Sequence, residues 1–337
     1  MRKFFSTIAG AVFALTLTFA GVQANEVTIG YQQVFNPWKV AIANSDFEKA
    51  TGYKINWKKF DSGAKVITAM ASGDVHIAMA GSSPIAAGVS RGLPIKLFWI
   101  VENINDAEAL VVRNGSGIEK PADLKGKKLG VPFVSTTHFH TLFALEVNKI
   151  DPKEVKLLNM QPNAIAAAWE RGDIDAAFIW DPALGRIKKS GSVLLTSGDL
   201  SKLGKATFDG MIVTNDFAGK NAKFMCQFVK GMAAADKAYR DNPANFGPDS
   251  ENAKKIVKMV GGEAKNVAGV LALYDFPDLK AQASNAWLGG GKDGGAAKAL
   301  FFTSEFLKKE KKVDDLLPDY GAVVTDKFVK AALAGDC

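Results

Sequence analysis

Histidine and cysteine are scarce in this chain of 337 residues, which holds three of the first and two of the second. Cys226 and Cys337 are too few for a disulfide framework. One bridge is open to them in an oxidising compartment, but Cys337 is the last residue, where fraying is expected. His138 and His140 stand two apart, on different faces of a helix, which is poor spacing for joint metal binding. The Gly-x-Ser-x-Gly elbow and the Walker-type phosphate loop are both missing, and neither cysteine lies near a histidine in sequence. Acids are plentiful, yet nothing singles out a pair of the kind a glycosidase needs. No catalytic residue, metal or cofactor is therefore expected. A secreted hydrolase is unsupported rather than excluded.

Long apolar runs are also few. The one present spans Phe4 to Ala20, behind Arg2 and Lys3, and Val22-Gln23-Ala24 follows with small residues where a signal peptidase needs them. The run is shorter than the roughly 20 residues of a spanning helix. Residues 1–24 are expected to be a signal peptide cleaved near Ala24, leaving a free periplasmic protein without a lipid anchor. Removing Arg2 and Lys3 from the formal charge of +7 leaves +5. This mild excess has no dense basic block, so it leans towards anionic ligands and gives no support for nucleic acid.

What is present is alternation. Val27 to Tyr31 reads as a strand, the region Val40–Thr51 as a helix closed by Gly52, and Lys54 to Trp57 as the next strand. Asp61-Ser62-Gly63 then opens a helix through Met70. Such alternation implies a parallel sheet flanked by helices. An internal echo sharpens this: Met70-Ala71-Ser72-Gly73-Asp74-Val75-His76-Ile77-Ala78 is matched 99 residues later by Trp169-Glu170-Arg171-Gly172-Asp173-Ile174-Asp175-Ala176-Ala177. Both read as a helix end, a Gly-Asp turn and a buried strand, followed by Pro84 and Pro182, which suit helix starts. Two copies suggest two similar α/β lobes. Ala109–Val112 and Met211–Val213 are expected to connect them, so lobe 1 spans 25–109 and 214–337, and lobe 2 spans 110–213. From Asn221 onward the pattern is mostly helical, with breaks at Gly247-Pro248 and at Gly289 to Gly295. A cleft between lobes is the place to look for a ligand.

Gly81-Ser82-Ser83-Pro84 follows a buried strand, with Ser83 suited to the N-cap and Pro84 to the first helical position. Ser82 and free backbone N–H groups are then left at the positive end of a helix, a natural anion site, although a plain cap would look the same. Val134-Ser135-Thr136-Thr137-His138 likewise precedes an apolar helix. One hydroxyl suffices as a cap, leaving others as anion donors. Glu108 and Asp209 each sit at the mouth of an expected crossover strand, where a carboxylate could meet an ammonium or simply face solvent. Trp180 ends a strand and either walls the pocket or packs. Gln32, after the first strand, is a further polar candidate.

Phe60-Asp61-Ser62-Gly63-Ala64, Gly81-Ser82-Ser83-Pro84, Val131-Pro132-Phe133-Val134-Ser135-Thr136-Thr137-His138 and Arg171-Gly172-Asp173-Ile174-Asp175 together resemble the taurine-binding branch of a wider family. That family is the sulfonate, nitrate and taurine group of ABC substrate-binding proteins. The resemblance covers nearly all of the chain after residue 24 and is strongest from Phe60 to Trp180. It implies an α/β, two-lobed type II periplasmic binding protein fold that closes on its ligand and docks, as a monomer, on a membrane permease driven by an ATPase. It also implies a small sulfonate such as taurine held by Ser82, Ser83, Thr136 and Thr137, with its ammonium met by Glu108 and Asp209 beside Trp180. Asp181, an extra acid after Trp180, and the glycine-rich run at Gly289 depart from the family pattern. A receptor for plain alkanesulfonates, nitrate or another small anion in the same fold would not need both acids, and a ligand-sensing module would bind the same solute without transport.

Overall fold

Among the described residues, ten strands form where β-branched, aromatic and small apolar residues cluster between turn signals. They are β1 (Glu26–Gln32), β2 (Lys54–Phe60), β3 (Ile77–Gly81), β4 (Ile95–Asn103) and β5 (Glu108–Arg113). The remaining five are β6 (Lys128–Val131), β7 (Lys156–Asn159), β8 (Ala176–Trp180), β9 (Gly191–Thr196) and β10 (Phe208–Thr214). The computed structural model describes residues 25–337. The expected signal peptide, residues 1–24, lies outside the described residues.

The strands make two five-stranded sheets, ordered β2-β1-β3-β10-β4 and β7-β6-β8-β5-β9. Position for position the two orders match, and the echoed segments become the helix ends Gly63–Ala71 and Pro162–Arg171 followed by the central strands β3 and β8. Every residue of β3 and β8 is buried. Side chains as large as Phe178 and Ile179 each contribute about 1.5–3 kcal/mol there.

The expectation of a parallel sheet is corrected. β10 runs antiparallel to β3 and β4, and β5 runs antiparallel to β8 and β9, so both sheets are mixed. The cause is the path of the chain. A segment arriving from the other lobe enters its new sheet at the cleft end, beside the last residues of a strand already there. Asp209, near the start of β10, pairs with Gly81 at the end of β3, and Glu108, at the start of β5, pairs with Trp180 at the end of β8.

The connectors also differ from expectation. Ala109–Val112 and Met211–Val213 are not links but the hydrogen-bonded interiors of β5 and β10. The chain passes between sheets through residues 104–107 and returns through residues 197–207. β10 therefore belongs to the first sheet.

The helical tail folds back on that first sheet. Gln282 is fully buried. Its side chain accepts from the N–H of Ile100 (2.9 Å) and donates to the Ile100 carbonyl (2.6 Å), serving as one more ladder partner at the open edge of β4. The glycine-rich run is a tight turn. A Cβ at Gly294 would lie 2.1 Å from the Gly289 carbonyl oxygen, and one at Gly295 would lie 2.0 Å from that of Ala286. Cys226 and Cys337 form a disulfide, with Cα atoms 5.5 Å apart. The frayed C-terminus expected from sequence is thus corrected: the helix Lys327–Ala334 packs against Ala222–Asp241 and brings Cys337 to Cys226.

The lobes meet around the cleft. Asn163 donates to Gln33 (3.2 Å), Lys189 pairs with Glu263 (2.6 Å), Lys309 pairs with Glu146 (2.9 Å), and Phe139 meets Phe306 edge-on at 4.9 Å. The ion pairs are exposed and contribute little individually.

Candidate functional site

Three helix starts converge where the sheets face each other. Gly63–Ala71 begins after Ser62, Ser82–Ser90 after Gly81 and Thr136–Val147 after Ser135. The first two have no side-chain cap, so their leading N–H groups lack the usual partner. They also touch: a Cβ at Gly63 would lie 2.4 Å from Cγ of Pro84. The third is capped by Ser135, whose Oγ accepts from the N–H of His138 at 3.0 Å. Between them lies a narrow cavity lined by Gln32, Val34, Gly63, Gly81, Pro84, Ile104, Glu108, Ser135, Thr136, Trp180, Asp209 and Tyr274. Three positive helix ends around one cavity favour an anion.

The opposite character lies on the strand ends. Glu108 is buried and accepts from Thr136 Oγ1 at 2.5 Å, with Ser197 Oγ 3.2 Å from its other oxygen. Burial pushes its carboxyl up to about 8, partly offset by the Thr136 hydroxyl, while neighbouring Asp209 adds to the rise. Asp209 pairs on one side with Gly81 and on the other with Glu102. Burial raises Asp209 to about 6, against the pull of a hydrogen bond from Glu102 and the charge of Lys39. Glu102 is fully buried and raised well above the carboxylate range by burial and by Asp209, so it holds the proton and donates to Asp209.

A chain of donors orders this end. Lys39, fully buried, lies 3.8 Å from the ring centroid of Trp38 and donates to Asn36 Oδ1 at 2.7 Å. Asn36 in turn donates to both Glu102 oxygens, at 3.1 and 3.3 Å. Burial lowers Lys39 to about 7, with Glu102 and Asp209 opposing the fall. Tyr274 closes the cavity from the tail, its phenol raised far above normal by burial and by the acids Glu102, Asp209, Glu108 and Asp181. Glu102 and Asp209 thus share one buried lysine, while Glu108 has no cation of its own, which leaves room for another.

The family model for the substrate binding domain of ABC-type glycine betaine transport systems matches residues 25–305. The chain belongs to this family of ABC transporter substrate-binding proteins. It is 39% identical over 317 residues to the taurine-binding periplasmic protein of Escherichia coli (strain K12), covering 94% of this chain and 97% of that one. A putative aliphatic sulfonates-binding protein of Bacillus subtilis (strain 168) is 27% identical over 92% of this chain and 89% of its own. Among solved structures, the periplasmic aliphatic sulphonate binding protein of Escherichia coli superposes with a TM-score of 0.70 at 21% identity, covering 91% of this chain and 99% of that one. A desulfurization enzyme mutant in complex with biphenyl-2-sulfinic acid gives a TM-score of 0.66 at 15% identity, over 92% and 99% of the two chains. At these identities the structures establish the fold alone. The two-lobed α/β binding-protein fold expected from sequence is the fold of this family.

In this binding protein, Gln32, Glu108, Thr136, Trp180 and Asp209 all line the cavity. Ser82 and Ser83 stand beside it, fully buried, and their hydroxyls have no partner among the described residues; Ser62 is in the same condition. The helix starts two residues earlier than expected, so Gly81 is the N-cap and Pro84 the third helical residue. Thr137 is not among the lining residues; its hydroxyl lies 2.8 Å from Oγ of Ser135, which is. Thr136, expected at the sulfonate end, gives its hydroxyl proton to Glu108 instead. Asp181 accepts from the N–H of Gly185 at 3.1 Å and lines an outer groove with Lys188 and Lys189. Sequence reasoning missed Glu102, Lys39, Asn36 and Tyr274. Asn36 lay near the first strand and was legible as polar; Glu102 is masked by its apolar strand, and nothing local marks Tyr274.

Proposed function

We propose that the chain is exported through cleavage near Ala24, captures taurine or a close aliphatic aminosulfonate in the interlobe cavity, and delivers it as a monomer to the permease of an ABC importer. It binds without converting its ligand. The observation that carries this reading is the polarity of the cavity: uncapped helix starts on one side, a cluster of carboxyls served by one lysine on the other. A sulfonate is ionised at every physiological pH and offers acceptor oxygens to the helix N–H groups and to Ser82 and Ser83. An ammonium two carbons away reaches Glu108 and Asp209, with Trp180 alongside. Identity to the taurine-binding relative and a disulfide suited to an oxidising compartment support the reading.

Calorimetric titration of ligand-stripped protein with taurine and then ethanesulfonate tests it. Tight one-to-one binding of taurine, with ethanesulfonate much weaker, is expected. Binding of ethanesulfonate or nitrate without taurine would make the protein a plain anion receptor of the same fold. Turnover of any bound sulfonate would make it an enzyme.

A further inference from the structure

His140, on the helix Thr136–Val147, is fully buried and touches two partners. Its Nε2 lies 2.7 Å from the carbonyl oxygen of Lys205 and its Nδ1 lies 2.7 Å from Ser197 Oγ. A carbonyl oxygen only accepts, so Nε2 carries the ring proton. Burial lowers His140 to about 4, against the raising effect of the Lys205 carbonyl, so the ring is neutral and Nδ1 presents a lone pair. The single hydroxyl proton of Ser197 therefore points to Nδ1. What Ser197 shows to Glu108 Oε2, 3.2 Å away, is a lone pair. Thr136 already donates to the other Glu108 oxygen. As an acid, Glu108 satisfies all of these groups. As a carboxylate, it would set lone pair against lone pair.

We propose that Ser197 and His140 are positioning residues that hold Glu108 as a neutral acid in the ligand-free cleft, so that capture of a ligand ammonium there expels one proton to solvent. This rests on the reading that an ammonium meets Glu108. In the step, the Glu108 O–H bond breaks, its electron pair stays on the carboxylate, and the proton leaves to water. The ammonium then occupies the place of that proton. The surrounding groups agree. Asp209 from β10 adds negative charge, Trp180 from β8 and the Tyr274 phenol from the tail are neutral, and Lys39 acts on Glu102 and Asp209. Glu108 is raised to about 8 even with the Ser197 hydroxyl counted as a donor that lowers it, so about nine-tenths or more of it is protonated at pH 7.

Titration of the full mature protein with taurine at pH 7, in buffers of differing ionisation enthalpy, reads the proton directly. Release of nearly one proton is expected, and taurine affinity should rise about tenfold per pH unit below pH 8 and then level off. Glu108→Gln should abolish the release. Ser197→Ala removes the acceptor of the acid, lowers the Glu108 pKa and should reduce the release at pH 7. If Ser197 instead donated to a carboxylate, the same variant would raise the release, and the proposal would be overturned. Nitrogen-15 shifts of His140 in ligand-free protein should show the Nε2–H tautomer; the Nδ1–H tautomer overturns the relay whatever the ligand does. Taurine binding without proton release sinks the relay alone, whereas no taurine binding at any pH sinks the functional reading and leaves the tautomer to decide the relay.

Discussion

Replacing Asp209 with Asn isolates the ammonium contact, because the amide keeps the shape of the carboxylate while removing its charge. The side chain is buried, on a strand position paired with Gly81 on one side and Glu102 on the other. A charge-assisted hydrogen bond to a buried group contributes about 1.5–3 kcal/mol, which is about ten- to a hundredfold or more in affinity. The structure places the variant near the low end. Glu102, relieved of the negative neighbour that keeps its proton in place, can ionise in response, and its charge remains tied to Asn36 and Lys39. A loss of about tenfold to thirtyfold for taurine at pH 7.5 is therefore expected by calorimetry. Ethanesulfonate, which lacks the amine, should bind equally well or better, since a negative group near its anion has been removed. The ratio of the two affinities is the quantity that matters. Equal losses for both ligands would mean that Asp209 shapes the cleft without meeting an amine. No loss for either would remove it from the site.

Two further variants test separate parts of the structure. Gly81→Ala would place a Cβ 2.8 Å from Thr136 Cγ2 across the cleft, and Thr136 is pinned by Glu108, so closure should be obstructed. Every sulfonate should lose about tenfold or more in affinity with little change in Tm, and small-angle scattering should show no compaction on ligand addition; unchanged affinity would show that the lobes need not approach so closely. Asp236 is fully buried on the helix Ala222–Asp241, has no partner at normal hydrogen-bond geometry among the described residues, and burial raises its pKa well above normal against the pull of the Arg240 charge and the nearby Trp99 N–H. A raised carboxyl binds its proton more tightly folded than unfolded, so stability falls as pH climbs from the ordinary carboxylate range towards the folded value. Asp236→Asn mimics the protonated form, so at pH 8 it should raise Tm by about 2–4 °C per kcal/mol recovered, and at pH 4 it should change little. A lower Tm at pH 8 would show that Asp236 is stabilised as an anion.

Local chemistry made much of this protein readable from its residues. Period-two apolar runs, Gly-Asp turns and hydroxyl-rich helix starts are short-range signals, and they located the central strands, the internal duplication and, to within about two residues, the helix starts near Gly63, Ser82 and Thr136. Glu108 and Asp209 were visible as acids at the mouths of two strands, although those strands lie inside the sheets rather than linking the lobes. Their true place is the first turn of pairing after each crossing, where an incoming strand lies beside the end of an older one. Strand direction, the actual crossings and the disulfide depend on pairings between segments far apart in the chain, and alternation of apolar residues is the same whichever way a strand runs. The buried polar chain is the plainest case. Lys39 reads as a solvated helix residue and Glu102 as an interruption in an apolar strand, yet Asn36, 66 positions before Glu102, joins them. Their protonation was decided by tertiary structure alone, because only burial among other carboxyls separates one acid from the next.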